Sequence, residues 1–316
     1  MTTLIIDTSY FNFYRFFATT NWYKCAHQDE LIEDGYEWVE NIEFWEKFQK
    51  MFLQTLQKFE KKFKPNRVIF ARDCPRDEIW RVPLFADYKS NREEAYKKNK
   101  FTGGPVFKKS YTDIIDPMID NVKYFQFKVD NLEADDIIAL TTNKILEQNP
   151  NEIIKIISSD HDLLQLITPQ VELYDAKMKC YNCKSLGSKE KDIAMKCIVG
   201  DASDCIPKIF NRIGAKTALK LIDSRDLLMK KFKENPGSFD MYSKNNLLVN
   251  FDNIPDYLVE RYNKEVIFEF LQHLALRDLL FFVFESLNTP FVLGSAILFT
   301  PGYDIVGLEI TFKRTS

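Results

Sequence analysis

Three short apolar runs, each running into an aspartate, constrain the fold of this chain more than any other feature. TLII (3–6) leads into Asp7, RVIFA (67–71) is followed by Arg72 and Asp73, and IIKIIS (153–158) by Ser159 and Asp160. Apolar runs of this length between longer helical stretches read as buried strands. Helical spacing is clear over 40–63, where Ile42, Trp45, Phe48, Phe52, Leu56 and Phe59 recur three and four residues apart. A second helix is predicted from about 132 to 148, opening with LEADDIIAL, and residues 122–127 read as a further strand. Residues 86–121 are basic and helical in pattern, broken at Gly103, Gly104 and Pro105. Residues 17–39 read as a polar, irregular loop. The alternation of strands and helices predicts an α/β fold with a mainly parallel sheet flanked by helices. In such sheets ligands bind beyond the carboxyl ends of the strands, where all three aspartates fall. Beyond 180 the pattern turns helical, and 296–316 alternates only weakly.

Nine carboxylates gather in five motifs: Asp7 in IIDTS, Asp73 in FARDC, Glu133, Asp135 and Asp136 in LEADDIIA, Asp160 and Asp162 in SSDHDLLQL, and Asp201 and Asp204 in GDASDCIP. On a helix Glu133 and Asp136 share a face. Leu132, Ile137 and Ile138 hold these acids among core residues, so they cannot all swing into water. Any one motif has an ordinary reading as a cap or an Asx-rich turn, and acids at 133–136 also suit a helix N-terminus. Five together, in this order, call for something that offsets their repulsion, which amounts to several kcal/mol at a protein-like dielectric. A divalent cation does so, and carboxylates with water suit Mg²⁺ or Mn²⁺. Two such ions about 4 Å apart are a standard device for phosphodiester hydrolysis.

Overall charge is −3, which alone argues against a polyanionic partner; with the nine clustered acids set aside it becomes +6. Residues 81–109 hold eight basic side chains against three acidic, and 177–220 hold ten against four. Such zones would hold a polyanion while the acids cut it, although Lys97, Lys98 and Lys100 also suit a solvated helix face. The composition, with 45% hydrophobic residues, 10 Gly and 12 Pro, excludes collagen-like and low-complexity classes. The opening MTTLIIDTSYF lacks the basic and long apolar regions of a signal peptide. The apolar segment 279–299 is interrupted by Glu285, Asn288 and Pro290, too broken for a membrane span. A soluble, intracellular protein is the expectation. Its cysteines (Cys25, Cys74, Cys180, Cys183, Cys197, Cys205) then read as free thiols. Cys180 and Cys183 form a CxxC, for which zinc is the weaker reading. His161 lies between two acids in a turn that should aim it away, and takes no role.

The motifs IIDTSYF, RDCPRDEIWR…YKSNR, LEADDIIA, SSDHDLLQL and GDASDCIP…IGAKTALKLI span roughly residues 3–225, and in this order and spacing the chain resembles the flap endonuclease and 5′→3′ exonuclease family. That family includes the 5′-nuclease domain of bacterial type I DNA polymerases and the phage enzymes called RNase H; YSKNNLLVNFDNIPDYL (242–258) is most similar to the phage branch. The resemblance implies a PIN-like two-metal nuclease. By motif, Asp7, Asp73, Glu133 and Asp135 would form the first metal site, and Asp160, Asp162 and Asp201 the second. Asp136 and Asp204 would act through waters. Two Mg²⁺ are implied, with Mn²⁺ able to substitute. YKSNR stands where members begin a helical arch, about 81–121. Lys89 and Arg92 match a basic pair on the scissile phosphate, where cations stabilise developing charge. On a helix Lys89, Arg92 and Tyr96 would share a face. Tyr88 would stack on an unpaired base, or serve as a core or hinge tyrosine, and Arg81 is similar to a family arginine, unless it merely packs.

IGAKTALKLI resembles a helix–three-turn–helix, about 200–225, that grips duplex DNA through Gly214, Lys216 and Thr217, with backbone N–H groups facing phosphate. Bacterial members carry glycines after the Pro and before the Ile-Gly; PKIFNRIG lacks both and is one residue longer. That should reshape the hairpin, and it weighs against duplex affinity and a potassium ion there. The implied organisation is a nuclease core at 1–175, a helical DNA-binding region at 176–284, and a tail at 285–316 without a reading. The substrate would be DNA with a 5′ flap, nick or gap, or an RNA–DNA hybrid, cut by a monomer in replication or repair, with replication proteins as partners. The alternatives are a PIN-like ribonuclease and a catalytically silent DNA-binding protein, against which the nine intact acids argue. A phosphatase using Asp7 as nucleophile would want a second Asp two residues on, where Ser9 stands.

Overall fold

The computed structural model describes residues 1–98, 101–119, 121, 123–267 and 270; the segments 279–299, 285–316 and 296–316 singled out above lie outside these. The predicted strands are present as β1 (Thr2–Asp7), β2 (Arg67–Ala71), β3 (Tyr124–Phe127) and β4 (Ile153–Ile157). A fifth, β5 (Val171–Tyr174), was not foreseen. They form one five-stranded sheet in the order β3-β2-β1-β4-β5, with every pairing parallel. β1 lies at the centre; the chain builds outward to β2 and β3, then crosses to β4 on the other side of β1. That crossing is the topological switch point, at the carboxyl end of β1 and β4.

Period-two alternation sorts the strand residues onto two faces. Ile5, Ile69, Ile154 and Ile156 join one buried cluster. Leu4, Ile6, Val68, Phe70 and Ile157 join the other. On the second face lie α1 (Thr8–Ala26) and α2 (Ile42–Phe63), the latter contributing Phe44, Phe48, Phe52, Leu56 and Phe59. Asn41 caps α2 by accepting from the Phe44 amide at 2.8 Å. Ile42 is 75% exposed and takes no part in that stripe.

Helix α1 corrects the expected loop at 17–39: residues 17–26 are its last turns. Its buried positions, Thr8, Phe11, Asn12, Arg15, Phe16, Thr19, Thr20 and Tyr23, keep helical spacing. Five of them are polar, which hides the apolar stripe. The hydroxyls of Thr19 and Thr20 are satisfied by the carbonyls of Arg15 and Phe16, four residues back.

The basic stretch is broken as expected, into α3 (Asn91–Lys98), α4 (Gly104–Ser110), a π-helical turn at Tyr111–Ile115 and α5 (Asp116–Ile119). Then come α6 (Ala134–Gln148), α7 (Lys189–Val199), α8 (Ala215–Ile222), α9 (Arg225–Glu234), α10 (Ser238–Val249) and α11 (Asp256–Tyr262). Phe251, Ile254, Leu258 and Tyr262 enter the cluster beneath α6, and the hydroxyls of Thr141 and Tyr262 meet at 2.7 Å. No described helix is long and apolar enough to cross a membrane.

Candidate active site

The acids collect at the carboxyl edge of the sheet. Asp7 ends β1 and caps α1: one carboxylate oxygen accepts from the Tyr10 amide at 2.9 Å, the other from the Ser158 hydroxyl at 2.8 Å. Asp73, two residues past β2, accepts from the Ala134 amide at 2.8 Å and from the Ser9 hydroxyl. Burial, with Asp73 and Asp160 nearby, pushes the Asp7 carboxyl up to about 7.

The start of α6 supplies three acids with different surroundings. Glu133 is the N-cap, and Asp136, at the third helical position, accepts from the Glu133 amide at 3.1 Å. Asp136 is fully buried. It takes both guanidinium prongs of Arg81, at 2.9 and 2.7 Å, and the Trp80 indole at 3.0 Å. Glu133 receives Arg81 at 3.0 Å, the Tyr88 hydroxyl at 2.9 Å and the Lys89 ammonium. Burial alone would raise the Glu133 carboxyl; Lys89 and Arg81 outweigh it and hold it at about 2. Asp135 differs. Among the described residues nothing is seen to donate a hydrogen bond to its carboxylate, and burial together with Asp160 and Asp7 drives its pKa well up.

The remaining acids come from two loops. Asp160 accepts from the Asp162 amide at 2.8 Å in the turn after β4. Gly200 ends α7 at φ 72°, where a Cβ would meet the Ile206 carbonyl oxygen at 2.5 Å, so only glycine allows this tight turn. The turn closes by reciprocal Asp201–Ile206 backbone bonds of 2.9 and 2.8 Å and presents Asp201 and Asp204. Lys196, one turn earlier on α7, reaches both Asp162 and Asp201, the latter at 2.6 Å. Burial and Asp160 push Asp162 up to about 7, whereas Lys196 and Ser203 hold Asp201 at about 2 against its burial. Arg92 pairs with Asp204 at 2.9 Å, and Lys89 stands 3.8 Å from it.

Several expected roles change with this geometry. Arg81 is 2% exposed, with its Nε on the Leu248 carbonyl at 2.7 Å, so it faces the interior and not a ligand. Its three acceptors reward burial of a charge that would otherwise be costly. Tyr88, 5% exposed, is spent on Glu133 and offers no face for stacking. Lys89 precedes α3 in a left-handed conformation (φ 54°) and does not share a helix face with Arg92 and Tyr96. Tyr96 is exposed and stacks on Phe13 and Phe101. Asp136 is wholly engaged by Arg81, Trp80 and its own helix, which leaves it a structural clasp.

At the hairpin, Gly214 caps α8, and Gly214, Ala215, Lys216 and Thr217 form an exposed run. Where bacterial members place glycine before the Ile-Gly, Arg212 takes a left-handed φ of 55°. The backbone there keeps a glycine-like turn with an arginine in it, at a cost of about 1–2 kcal/mol. Cys180, Cys183, Cys197 and Cys205 are free thiols. His161 meets Lys184 at 2.9 Å. Three contributors escaped the sequence reading: Ser9 and Ser158, which sit inside motifs read only for acids, and Lys196, counted merely as one of many surface lysines.

Among the described residues no group of three His, Cys, Asp or Glu is already arranged to hold a metal ion. The carboxylates are turned to protein donors, four of them cations: Arg81, Lys89, Arg92 and Lys196. The donor set nevertheless fits hard divalent ions. Nine carboxylates less four cations leave five negative charges if all ionise, and two divalent ions would cover four. The unpartnered Asp135, and the raised Asp7 and Asp162, mark where that excess lies.

The family profile described as "5′-3′ exonuclease, N-terminal resolvase-like domain" matches residues 2–192. The chain is 27% identical over 204 residues to the protein named ribonuclease H of Enterobacteria phage T4, covering 60% of this chain and 66% of that one. It is 31% identical over 207 residues to the 5′-3′ exonuclease of Mycoplasmopsis pulmonis, covering 63% and 62%. With DNA polymerase I of Lactococcus lactis it shares 28% over 182 residues, only 19% of the polymerase. The chain thus spans less than two thirds of the length of these relatives. The solved structure of the bacteriophage T5 D15 protein with metal ions superposes with a TM-score of 0.62 at 18% identity, covering 84% of this chain and 98% of that one. A T5 D15 flap endonuclease variant in a pseudo-enzyme–product complex with DNA and metal ions gives 0.61. These likenesses show a shared fold.

Proposed function

The chain belongs to the 5′-3′ exonuclease family, with its PIN-like α/β fold, and on that premise we propose that it is a divalent-metal-dependent 5′ nuclease of DNA. The observation that carries this is the gathering of acids from five separate segments at the switch point of a parallel sheet. The α1 cap accounts for one oxygen of Asp7, but no structural need of the fold explains why Asp7, Asp135 and Asp162 are all buried with their pKa values pushed upward.

Asp7, Asp73, Glu133 and Asp135 would hold one ion, and Asp160, Asp162 and Asp201 a second, both Mg²⁺ with Mn²⁺ able to replace it. Bound there, the ions would supply an activated water and neutralise charge on the phosphate. The protein's own groups do the rest. Ser158 and Ser9 orient Asp7 and Asp73. Arg92, 41% exposed on Asp204, stands at the rim of the acid cluster, where a scissile phosphate would recruit it; Lys89, 4% exposed and held by Glu133, would have to leave that clasp to reach the same phosphate. The exposed start of α8 offers the backbone N–H groups of Gly214, Ala215 and Lys216 to a duplex phosphate, while the Thr217 amide donates to the Gly214 carbonyl and leaves the Thr217 hydroxyl for such a contact. The hairpin's features lend no support to a potassium ion.

The substrate would be DNA with a 5′ flap, nick or gap, hydrolysed to leave a 5′-phosphate; the name ribonuclease H of the phage T4 relative supports RNA–DNA hybrid as a second substrate. The protein would act as an intracellular monomer in primer removal or repair. Residues 1–175 would form the nuclease core with the arch at 81–121, and 176–284 the DNA-binding region.

Cleavage of 5′-labelled flap and nicked duplexes, with Mg²⁺, Mn²⁺ or EDTA, tests the reading. Short 5′ products that need the metal are expected, and Asp160→Asn should lower the rate by about 10³-fold or more, the scale of removing transition-state charge stabilisation. Cleavage of single-stranded RNA alone would point to a PIN-like ribonuclease. Duplex binding without cleavage in either metal would point to a silent binder.

A further inference from the structure

We infer that Lys196 is a resident counterion that the second divalent ion must displace, so that Lys196 weakens metal binding at Asp160, Asp162 and Asp201 instead of supporting it. This rests on the proposed metal reading and goes beyond it, to a residue that sets metal affinity.

Three observations carry the inference. The ammonium sits between Asp162 and Asp201, contacting both. These two carboxylates belong to different loops, so one cation at that point joins the two loops as a metal would. Second, Lys196 is the cation that joins them among the described residues: Arg81, Lys89 and Arg92 are all committed to Glu133, Asp136 and Asp204. Third, the lysine has somewhere to go. It lines a cavity of about 340 Å³ beside the acids, walled by His161, Leu186, Val199 and Asp192. Asp192 lies one turn back on α7, four residues from Lys196, the spacing at which such pairs meet on a helix. Its carboxylate now accepts from the Ser185 hydroxyl at 2.6 Å and the Leu186 amide at 2.7 Å, leaving lone pairs for a third donor. A rotamer change of one flexible side chain therefore exchanges Asp162 and Asp201 for Asp192, and the fold is untouched.

An ammonium and a divalent ion cannot share the same two carboxylate oxygens, so the two positions of Lys196 follow the metal. With metal absent, Lys196 relieves the repulsion among Asp160, Asp162 and Asp201. With metal present, it stands in the cavity wall, a few ångströms back.

The test is Mn²⁺ binding to the full chain, followed by electron paramagnetic resonance and by the melting-temperature gain on adding Mn²⁺. Lys196→Met should melt lower than the parent without metal. It should bind one of its Mn²⁺ ions about tenfold more tightly, the scale on which one partly screened charge pair contributes. Leu186→Trp, which fills the cavity, should weaken Mn²⁺ binding in the parent and leave it unchanged in the Lys196→Met background. Equal or weaker Mn²⁺ affinity in Lys196→Met overturns the inference, because the lysine would then hold the acids for the metal. Should Leu186→Trp fail to fold, the Lys196→Met titration decides alone. Failure of every variant and the parent to bind Mn²⁺ would overturn the metal reading itself.

Discussion

The two halves of the acid cluster are built on opposite principles. Around the start of α6, Glu133 and Asp136 are clasped by Arg81 and Lys89, all four side chains being 5% exposed or less. Around α7, Asp162 and Asp201 share one lysine, and these side chains are 12 to 21% exposed. Supply of donors decides the direction of titration: Glu133 is held at about 2, as is Asp201, which takes Ser203 as well as the lysine, whereas Asp162 is pushed to about 7. Glu133 and Asp136 have as many donors as they need and behave as part of the core. Asp162 has only a share of Lys196, and Asp135 beside the clasp has no donor among the described residues, so their charge stays available to a ligand. Fixed donors orient a site; a deficit of donors makes it bind cations.

The most severe way to break that contrast is to remove the clasp. Arg81→Met should destabilise the metal-free protein by about 3–5 kcal/mol, because it strands the buried Asp136 and takes one of two cations from Glu133. Urea denaturation measures it. Adding Asp136→Leu should restore part of the loss, since no charge is then left unpaired at that position. A loss of under about 1 kcal/mol in the single variant would show that Arg81 is not holding the α6 half together.

How much of this was legible in the sequence depends on whether a residue's role is local. Strands β1, β2 and β4 and their terminal acids could be read because the apolar run and the carboxylate are contiguous. Helix α1 could not, because Thr8, Asn12, Arg15, Thr19 and Thr20 occupy its buried face. Strand β5 escaped because VELY is four residues long and carries Glu172. The nine acids were legible as a set, but not their division into clasped and available. That division is fixed by Arg81 and Lys196, whose partners lie 52 and 55 residues away for Arg81, and on a separate loop for Lys196 and Asp162. Tyr88 and Arg81 read by type as either substrate contacts or packing residues; only the packed structure shows their donors already used.

A smaller effect sharpens the contrast through protons. Asp7 and Asp162 each have a pKa raised to about 7 from an ordinary 3.8. Between those values the folded, metal-free protein binds more protons than the unfolded chain, so its stability should fall as pH rises from about 4 to about 7. Glu133 and Asp201, both held at about 2, act in the other sense: their contribution is present above the ordinary carboxylate range and lost as pH falls toward 2. A divalent ion arriving at pH 6 must therefore expel protons from Asp7 and Asp162. Calorimetry of Mn²⁺ binding in buffers of different ionisation enthalpy should show about one to two more protons released at pH 6 than at pH 8.5, where Asp7 and Asp162 are already ionised. Equal release at both would mean that these carboxyls are ionised throughout, and that the α7 half is no more cation-hungry than the α6 half.

The smallest stability effect belongs to Arg92, which separates exposure from charge. Its guanidinium touches Asp204 at 2.9 Å, as close as Arg81 comes to its partners, yet its side chain is 41% exposed. Water therefore already solvates much of the ion, and Asp204 keeps Lys89 at 3.8 Å when Arg92 is removed. Arg92→Ala should cost under about 1 kcal/mol of stability, the range of solvent-screened pairs. If the exposed guanidinium meets the scissile phosphate, the same variant should slow cleavage by about 10²-fold, comparable to loss of one preorganised donor. Thermal melting and single-turnover cleavage on the same preparation read the two effects apart. A stability loss matching that of Arg81→Met would place Arg92 in the clasp and erase the boundary between cations held inside the fold and a cation left to meet the ligand.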